Sequence, residues 1–254
     1  MIKLKGNINE FIKYLRNKED SIELVGYLSL NAYSAIFLNE ENNFQDYLVV
    51  VGNNWYYNSE NITLLQEAID IGLPFKRLII TGMKEEDLDI FDNKIEIEYL
   101  LKFNKTDSFR DSDIVKKIGE EQTSSAYSLL KKIPEINGMN SEKEFENYLR
   151  NTNFNYMIEK DDQCVCLGFV IFEQEKNVLI VSVGTHPNYR KQGLAGTLVS
   201  KICNDMVLQE KEVYLYCSNK EALSVYSKVG LEKTGKNKLV LKESIKLKEK
   251  KYNK

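Results

Sequence analysis

The sequence offers little to a charged polymer, a bilayer or a metal. Of its 254 residues, 35 are Lys or Arg and 38 are Asp or Glu. The formal net charge of −3 is too small to build a nucleic-acid or membrane surface. No run of roughly 18 apolar residues exists, so no segment reads as a membrane-spanning helix. The opening residues, Met1 to Asn7, hold no apolar stretch of the kind a secretory signal needs, and a cytoplasmic protein is expected. The single histidine, His186, stands apart in sequence from the cysteines Cys164, Cys166, Cys203 and Cys217. Cys164 and Cys166 form a C-x-C pair inside an apolar run that continues to Phe172. A free cysteine in such a run behaves as a small hydrophobe, and no metal site is expected. The phosphate-loop pattern G-x-x-x-x-G-K-S/T and the dinucleotide pattern G-x-G-x-x-G are both missing, which excludes the two commonest nucleotide folds.

What is present is ordinary globular material, 43% hydrophobic and 29% charged, long enough for one large core or two modest ones. Residues 1–93 read as a smaller α/β unit. It has an amphipathic helix around Phe11 to Leu15 and a buried strand Tyr47–Val51 closed by Gly52-Asn53-Asn54. A helix follows with Asn61 as its cap and Leu64, Leu65, Ala68 and Ile69 on one face, ended by Gly72 and Pro74. Arg77 to Gly82 then reads as a strand, and no chemistry-bearing motif accompanies this unit. Residues 94–254 read as a second unit. Ile95, Ile97 and Tyr99 alternate with Glu96 and Glu98 as in a half-buried strand. The pattern turns helical between Asp111 and Arg150, with Ile114 and Ile118 on the first helical face. Three strands joined by short turns follow, near Tyr156–Lys160, Cys164–Glu173 and Val178–Thr185. Connections this short imply antiparallel neighbours. Then come a helix from Leu194, a strand Val213–Cys217, a helix Glu221–Lys228 and a strand near Lys238–Lys242. The Lys-rich tail from Ile245 reads as a solvated terminus.

The segment from Val178 to Gly196 carries the chemistry. A buried strand ends in Val183-Gly184-Thr185, passes through His186-Pro187-Asn188-Tyr189, and meets Arg190-Lys191-Gln192-Gly193-Leu194-Ala195-Gly196 at the start of a helix. Gly193 permits close backbone approach, and Ala195 and Gly196 keep the first turn free of bulk. The unpaired N–H groups of that turn, the helix dipole, Arg190 and Lys191 together make an anion seat sized for a diphosphate.

The stretch Val183-x-Thr185-x-Pro187-x-Tyr189-Arg190-x-x-Gly193-x-Ala195 resembles the acetyl-CoA-binding motif of the GNAT superfamily, whose core is Q/R-x-x-G-x-G/A. Downstream, Asn219-x-x-Ala222-x-x-x-Tyr226-x-x-x-Gly230-Leu231 is similar to the family's N-x-x-A-x-x-x-Y-x-x-x-G-F, with Leu231 in place of Phe. The resemblance spans roughly Ile95 to Lys242 and is strongest from Val178 to Leu231. It implies an α/β fold, a mixed and mostly antiparallel sheet flanked by helices, with acetyl-CoA as acyl donor. The smaller N-terminal unit would be a degenerate relative of the same fold. Backbone groups near Val183, Gly184 and Thr185 would pair with the pantetheine arm. Amides from Lys191 to Gly196 would take the pyrophosphate, and Asn219 would hydrogen-bond the cofactor. Tyr226 would return a proton to the leaving thiolate, a transfer matched by a phenol near pKa about 10 and a thiol near about 8.5. Where many members carry a glutamate, this chain has Tyr214 and Leu179, so no general base is named; Glu173 and Glu212 stay as strand-end candidates. His186 is expected in a loop or phosphate-contact role. The function implied is acyl transfer to the primary amine of a small-molecule or amino-acid-like acceptor, with no nucleic-acid or membrane partner. A homodimer is compatible with it. A protein or peptide N-acetyltransferase and a catalytically silent acyl-CoA-binding protein are the competing readings.

Overall fold

A computed structural model describes residues 1–4, 6–40, 43–60, 62–72, 75–83, 89, 91–92, 94–104, 112–133, 136, 141–150, 154–171 and 176–242. Its contacts divide the chain into two compact units, Met1–Tyr99 with Gly235–Lys254, and Leu100–Thr234. Two strands, Ile95–Phe103 and Leu231–Lys242, each contribute residues to both units. Asn61, Pro74, Glu173 and the Lys-rich tail from Ile245 lie outside the described residues.

The first unit runs β1 (Ile2–Lys3), α1 (Ile8–Leu15), α2 (Ile22–Ser29), β2 (Ala35–Leu38), β3 (Tyr47–Val51), β4 (Asn54–Asn58), α3 (Thr63–Asp70) and β5 (Arg77–Ile80). Strands β1 to β4 pair antiparallel in chain order, and β4 pairs parallel with β5 across α3. Gly52, at φ 56, makes the tight turn between β3 and β4. Two clusters fill the unit. Phe11, Leu15, Val25 and Leu28 pack with Ile36, Leu38 and Val49, while Trp55, Tyr57, Leu64, Leu65 and Ala68 pack with Leu78 and Ile80. A charged network lies beside them, centred on the buried Lys238. Lys238 is only 5% exposed, and its Nζ lies 2.6 Å from Glu23 and 3.1 Å from Glu98. Arg77 pairs with Glu98 at 2.9 Å, and the Tyr56 hydroxyl donates to Glu23 at 3.0 Å. Burial pushes the Glu23 carboxyl up, but the Lys238 charge and hydrogen bond outweigh it and hold the group below the usual carboxylate range.

The second unit takes residues from β6 (Ile95–Phe103), then β7 (Val115–Lys117), α4 (Thr123–Lys131), α5 (Glu142–Arg150), β8 (Phe154–Lys160), β9 (Gln163–Ile171), β10 (Asn177–Thr185), α6 (Leu194–Val207), β11 (Glu212–Cys217), α7 (Lys220–Val229) and the start of β12 (Leu231–Lys242). Strands β7 to β10 pair antiparallel in chain order, and β10 pairs parallel with β11 across α6. Helices lie on both faces, as a sheet with two apolar faces demands. Leu167 and Phe169 meet Ala126, Leu129 and Phe145, whereas Gly168, on the opposite face, meets Leu198 and Ile202. The architecture is therefore the mixed, mostly antiparallel, helix-flanked sheet expected from the sequence. One local expectation is corrected: the region of Ile114 is not helical. Val115–Lys117 is an edge strand pairing with Tyr156–Ile158, because the strand partner outweighs a weak local helical period.

Candidate active site

Strand β10 is regular only for its first half. Its Cα partners on β11 run from Asn177↔Glu212 to Ile180↔Leu215, while β10 itself continues to Thr185. On its other side, the register with β9 shifts between Val181↔Phe169 and Gly184↔Leu167. Ser182 sits at φ 52 inside that bulge, a left-handed conformation that a non-glycine residue adopts only at a cost. The bulge and the end of pairing together leave the last residues of β10 free of their parallel neighbour. Gly184 has a packing reason of its own: a Cβ there would meet the side-chain tip of Ile136 and stand 2.8 Å from that of Ile133.

Beyond Thr185 the chain forms a short helical turn, Pro187–Tyr189. His186 caps it, its Nδ1 accepting from the Asn188 amide at 3.2 Å, and its own amide donates to the Val165 carbonyl at 2.9 Å. The histidine is thus a loop clamp. Lys191 at φ 62 and Gly193 at φ 80 then turn the backbone through left-handed conformations into the helix. A Cβ on Gly193 would meet nothing within 4 Å, so the space beside it is open. The first hydrogen bond of α6 is Thr197 N to Gly193 O at 3.0 Å. Among the described residues, no amide from Lys191 to Gly196 donates to a protein group. Leu194 anchors the turn in the core, and Ala195 leaves it slim. Gly196 also has a packing role. A Cβ there would reach Val225 at 3.4 Å, so its bareness lets α7 close on α6. The Arg190 guanidinium folds back, Nε donating to the Thr185 carbonyl at 3.2 Å.

Asn219 caps α7, its Oδ1 accepting from the Glu221 and Ala222 amides at 2.9 and 3.0 Å. That commits its side-chain carbonyl to the helix and leaves the amide NH₂ as its donor. Tyr226, about two helical turns on, is buried at 6% exposure. Burial pushes its hydroxyl well above the ordinary phenol value, and the nearby Cys217 and Cys166 thiols add to the shift. Cys217 ends β11, and the Cys166 Sγ touches the Thr185 hydroxyl at 3.3 Å. Burial raises Cys166 to about 11. All the cysteines are free and buried, and no metal-binding cluster occurs among the described residues.

The strand-end carboxylate Glu212 stands at the opposite end of β11 from Cys217. Burial pushes its carboxyl up, but hydrogen bonds from Lys102 and the Tyr214 hydroxyl, at 3.1 and 3.0 Å, outweigh this and hold it ionised. Tyr214 and Leu179 are buried partners in the paired half of the two strands. One group at the site gave no sequence signal. Lys160, at the end of β8, reaches the loop and donates to the Gln192 Oε1 at 2.9 Å.

A family model for GNAT acetyltransferases matches residues 30–239. Among solved structures, an acetyltransferase from the GNAT family of Colwellia psychrerythraea superposes with a TM-score of 0.65 at 11% identity, covering 97% of this chain and 98% of its own. A GCN5-related N-acetyltransferase-like protein from Streptococcus suis 89/1591 gives 0.62 at 12% identity, covering 93% and 100%. A tandem GNAT protein from the clavulanic acid biosynthesis pathway gives 0.59 at 10% identity, covering 95% and 97%. No curated protein sequence matches. Identities this low speak for the fold alone, and the family model adds the lineage: the chain belongs to the GNAT acetyltransferase family and is an N-acetyltransferase.

Proposed function

We propose that the second unit transfers an acetyl group from acetyl-CoA to the primary amine of a small-molecule or amino-acid-like acceptor. One observation carries the donor assignment: a run of amides, Lys191 to Gly196, without protein acceptors, at the end of a strand that has left its neighbour. That arrangement fits a diphosphate at the helix N-terminus. It also fits an amide-bearing arm along Val183, Gly184 and Thr185. Acetyl-CoA supplies the acyl group as a thioester. The amide of Val183, turned by the bulge, is our candidate donor to the developing oxyanion. Tyr226 is our candidate acid for the departing sulfur, its phenol being protonated at neutral pH. Burial raises it further above the thiol it would serve, so the role rests on its place in the motif rather than on matched acidities. The Asn219 NH₂ group would hold the arm on the other wall.

We further read the first unit as a degenerate relative of the second. The order strand–helix–helix–strand–strand–strand–helix–strand, with the last two strands parallel, occurs in both. The structural neighbour described as a tandem GNAT protein supports that reading. A cytoplasmic location accords with the free cysteines and with the absence, among described residues, of a helix long and apolar enough to cross a membrane.

The test is the thermal midpoint with and without acetyl-CoA. Donor at about 100 times its Kd should raise it by about 5–10 °C. Gly193→Asp should abolish the rise, because it places an anion and a Cβ at a left-handed position in the seat. A full rise in that variant would remove the loop from the donor site.

A further inference from the structure

Four strand lysines are tied to carboxylates: Lys102 to Glu212, Lys116 to Glu159, Lys238 to Glu23 and Glu98, and Lys242 to Glu96. Lys160 has other partners. It closes the β8–β9 hairpin, whose turn residues Asp161 and Asp162 are both left-handed at φ 50 and 56, a tight and rigid connection. Neither aspartate ion-pairs with it among the described residues. Its ammonium instead donates to the Gln192 side-chain oxygen at 2.9 Å and lies 5.7 Å from the centre of the Tyr189 ring. Both partners belong to the loop that carries the unpaired amides. A cation with no ion pair among the described residues is therefore held beside the run of unpaired amides.

We propose that Lys160 is a further donor-binding residue, its ammonium taking a phosphate oxygen of the acyl-CoA nucleotide in place of the neutral Gln192 oxygen. The inference rests on the donor reading above and adds to it a residue from a different hairpin. A charged acceptor binds an ammonium more strongly than an amide oxygen does. The hairpin fixes where the lysine stem starts, and the flexible stem supplies the last reach.

The experiment compares wild type, Lys160→Gln and Lys160→Arg by calorimetric titration with acetyl-CoA and with its 3′-dephospho form. Midpoints without ligand check that each variant folds. Lys160→Gln should weaken acetyl-CoA binding by about tenfold and flatten its salt dependence, while Lys160→Arg keeps most of the affinity. Loss of the penalty with the dephospho donor places the contact on the 3′-phosphate; an equal penalty with both donors places it on the diphosphate. Equal affinity in Lys160→Gln and wild type for both donors overturns the inference and leaves the donor reading standing. A wild type that binds neither donor overturns both.

Discussion

Tyr226 and Lys238 are both buried polar side chains, and they are buried to opposite ends. Burial of Tyr226 raises its hydroxyl above the ordinary phenol value of about 10, so it remains a proton donor across the neutral and mildly alkaline range. Tyr226→Phe should lower kcat by about 10²-fold or more while leaving the Kd for acetyl-CoA within about twofold. In wild type, kcat should show no loss below about pH 10 that traces to this group. Single-turnover kinetics across pH test both, and an unchanged kcat in the variant removes Tyr226 from the mechanism. Lys238 instead neutralises Glu23 and Glu98 inside the first unit. Lys238→Met should cost about 3–5 kcal/mol, because it strands buried carboxylates. Glu23 is held below its unfolded value, so the folded state binds fewer protons than the unfolded chain as pH falls through the carboxylate range. The pair's contribution is therefore fully present above about pH 5 and is lost as pH falls through the depressed value. Urea titrations of wild type at pH 7 and pH 4 should show this loss, and Lys238→Met should shrink it. An equal loss in both proteins would show that the pair plays no part.

At the level of elements, β10, its loop and α6 were readable in the sequence because each imposes its own rule on residue type. The strand needs an apolar run, the left-handed turn needs Gly193, and the helix needs a slim first turn. The bulge was not readable. Ser182 is an ordinary strand residue in composition, and only the register against β9 reveals its φ of 52. Ser182→Gly should be neutral or stabilise by up to about 1 kcal/mol, whereas Ser182→Val should destabilise by about 1–2 kcal/mol. Thermal midpoints decide it, and a Val variant as stable as wild type would mean the bulge carries no strain. Strand β4 was hidden because Asn54 reads as part of the turn cluster Gly52-Asn53-Asn54, yet it pairs with Val51 as the first residue of the returning strand. Helix α2 was hidden because its face is apolar nearly all round, so no period stands out. Lys160 was out of reach for a third reason. Its role depends on which loop lies over the hairpin, and that is a tertiary fact.

Each unit has the same order of elements, but among the described residues only the second shows an open strand end. In the first unit the connection from β4 to α3 spans residues 59–62, against residues 186–193 from β10 to α6. Its strands also stay zipped past β5: the Thr81 amide donates to the Tyr57 carbonyl at 3.0 Å, and a Cβ on Gly82 would stand 2.5 Å from the Ser59 nitrogen. No room is left there for an arm between β4 and β5. Calorimetry should accordingly find one acetyl-CoA per chain, and a stoichiometry of two would refute the degenerate reading of the first unit. The burial of Cys164, Cys166, Cys203 and Cys217 has a practical corollary. At neutral pH, burial keeps Cys164, Cys166 and Cys203 in the unreactive thiol form, and Cys217 is only 8% exposed. A colorimetric disulfide reagent added to a turnover mixture should then react with released CoA rather than with the native enzyme, so an acceptor library can be screened continuously in a plate without protein background.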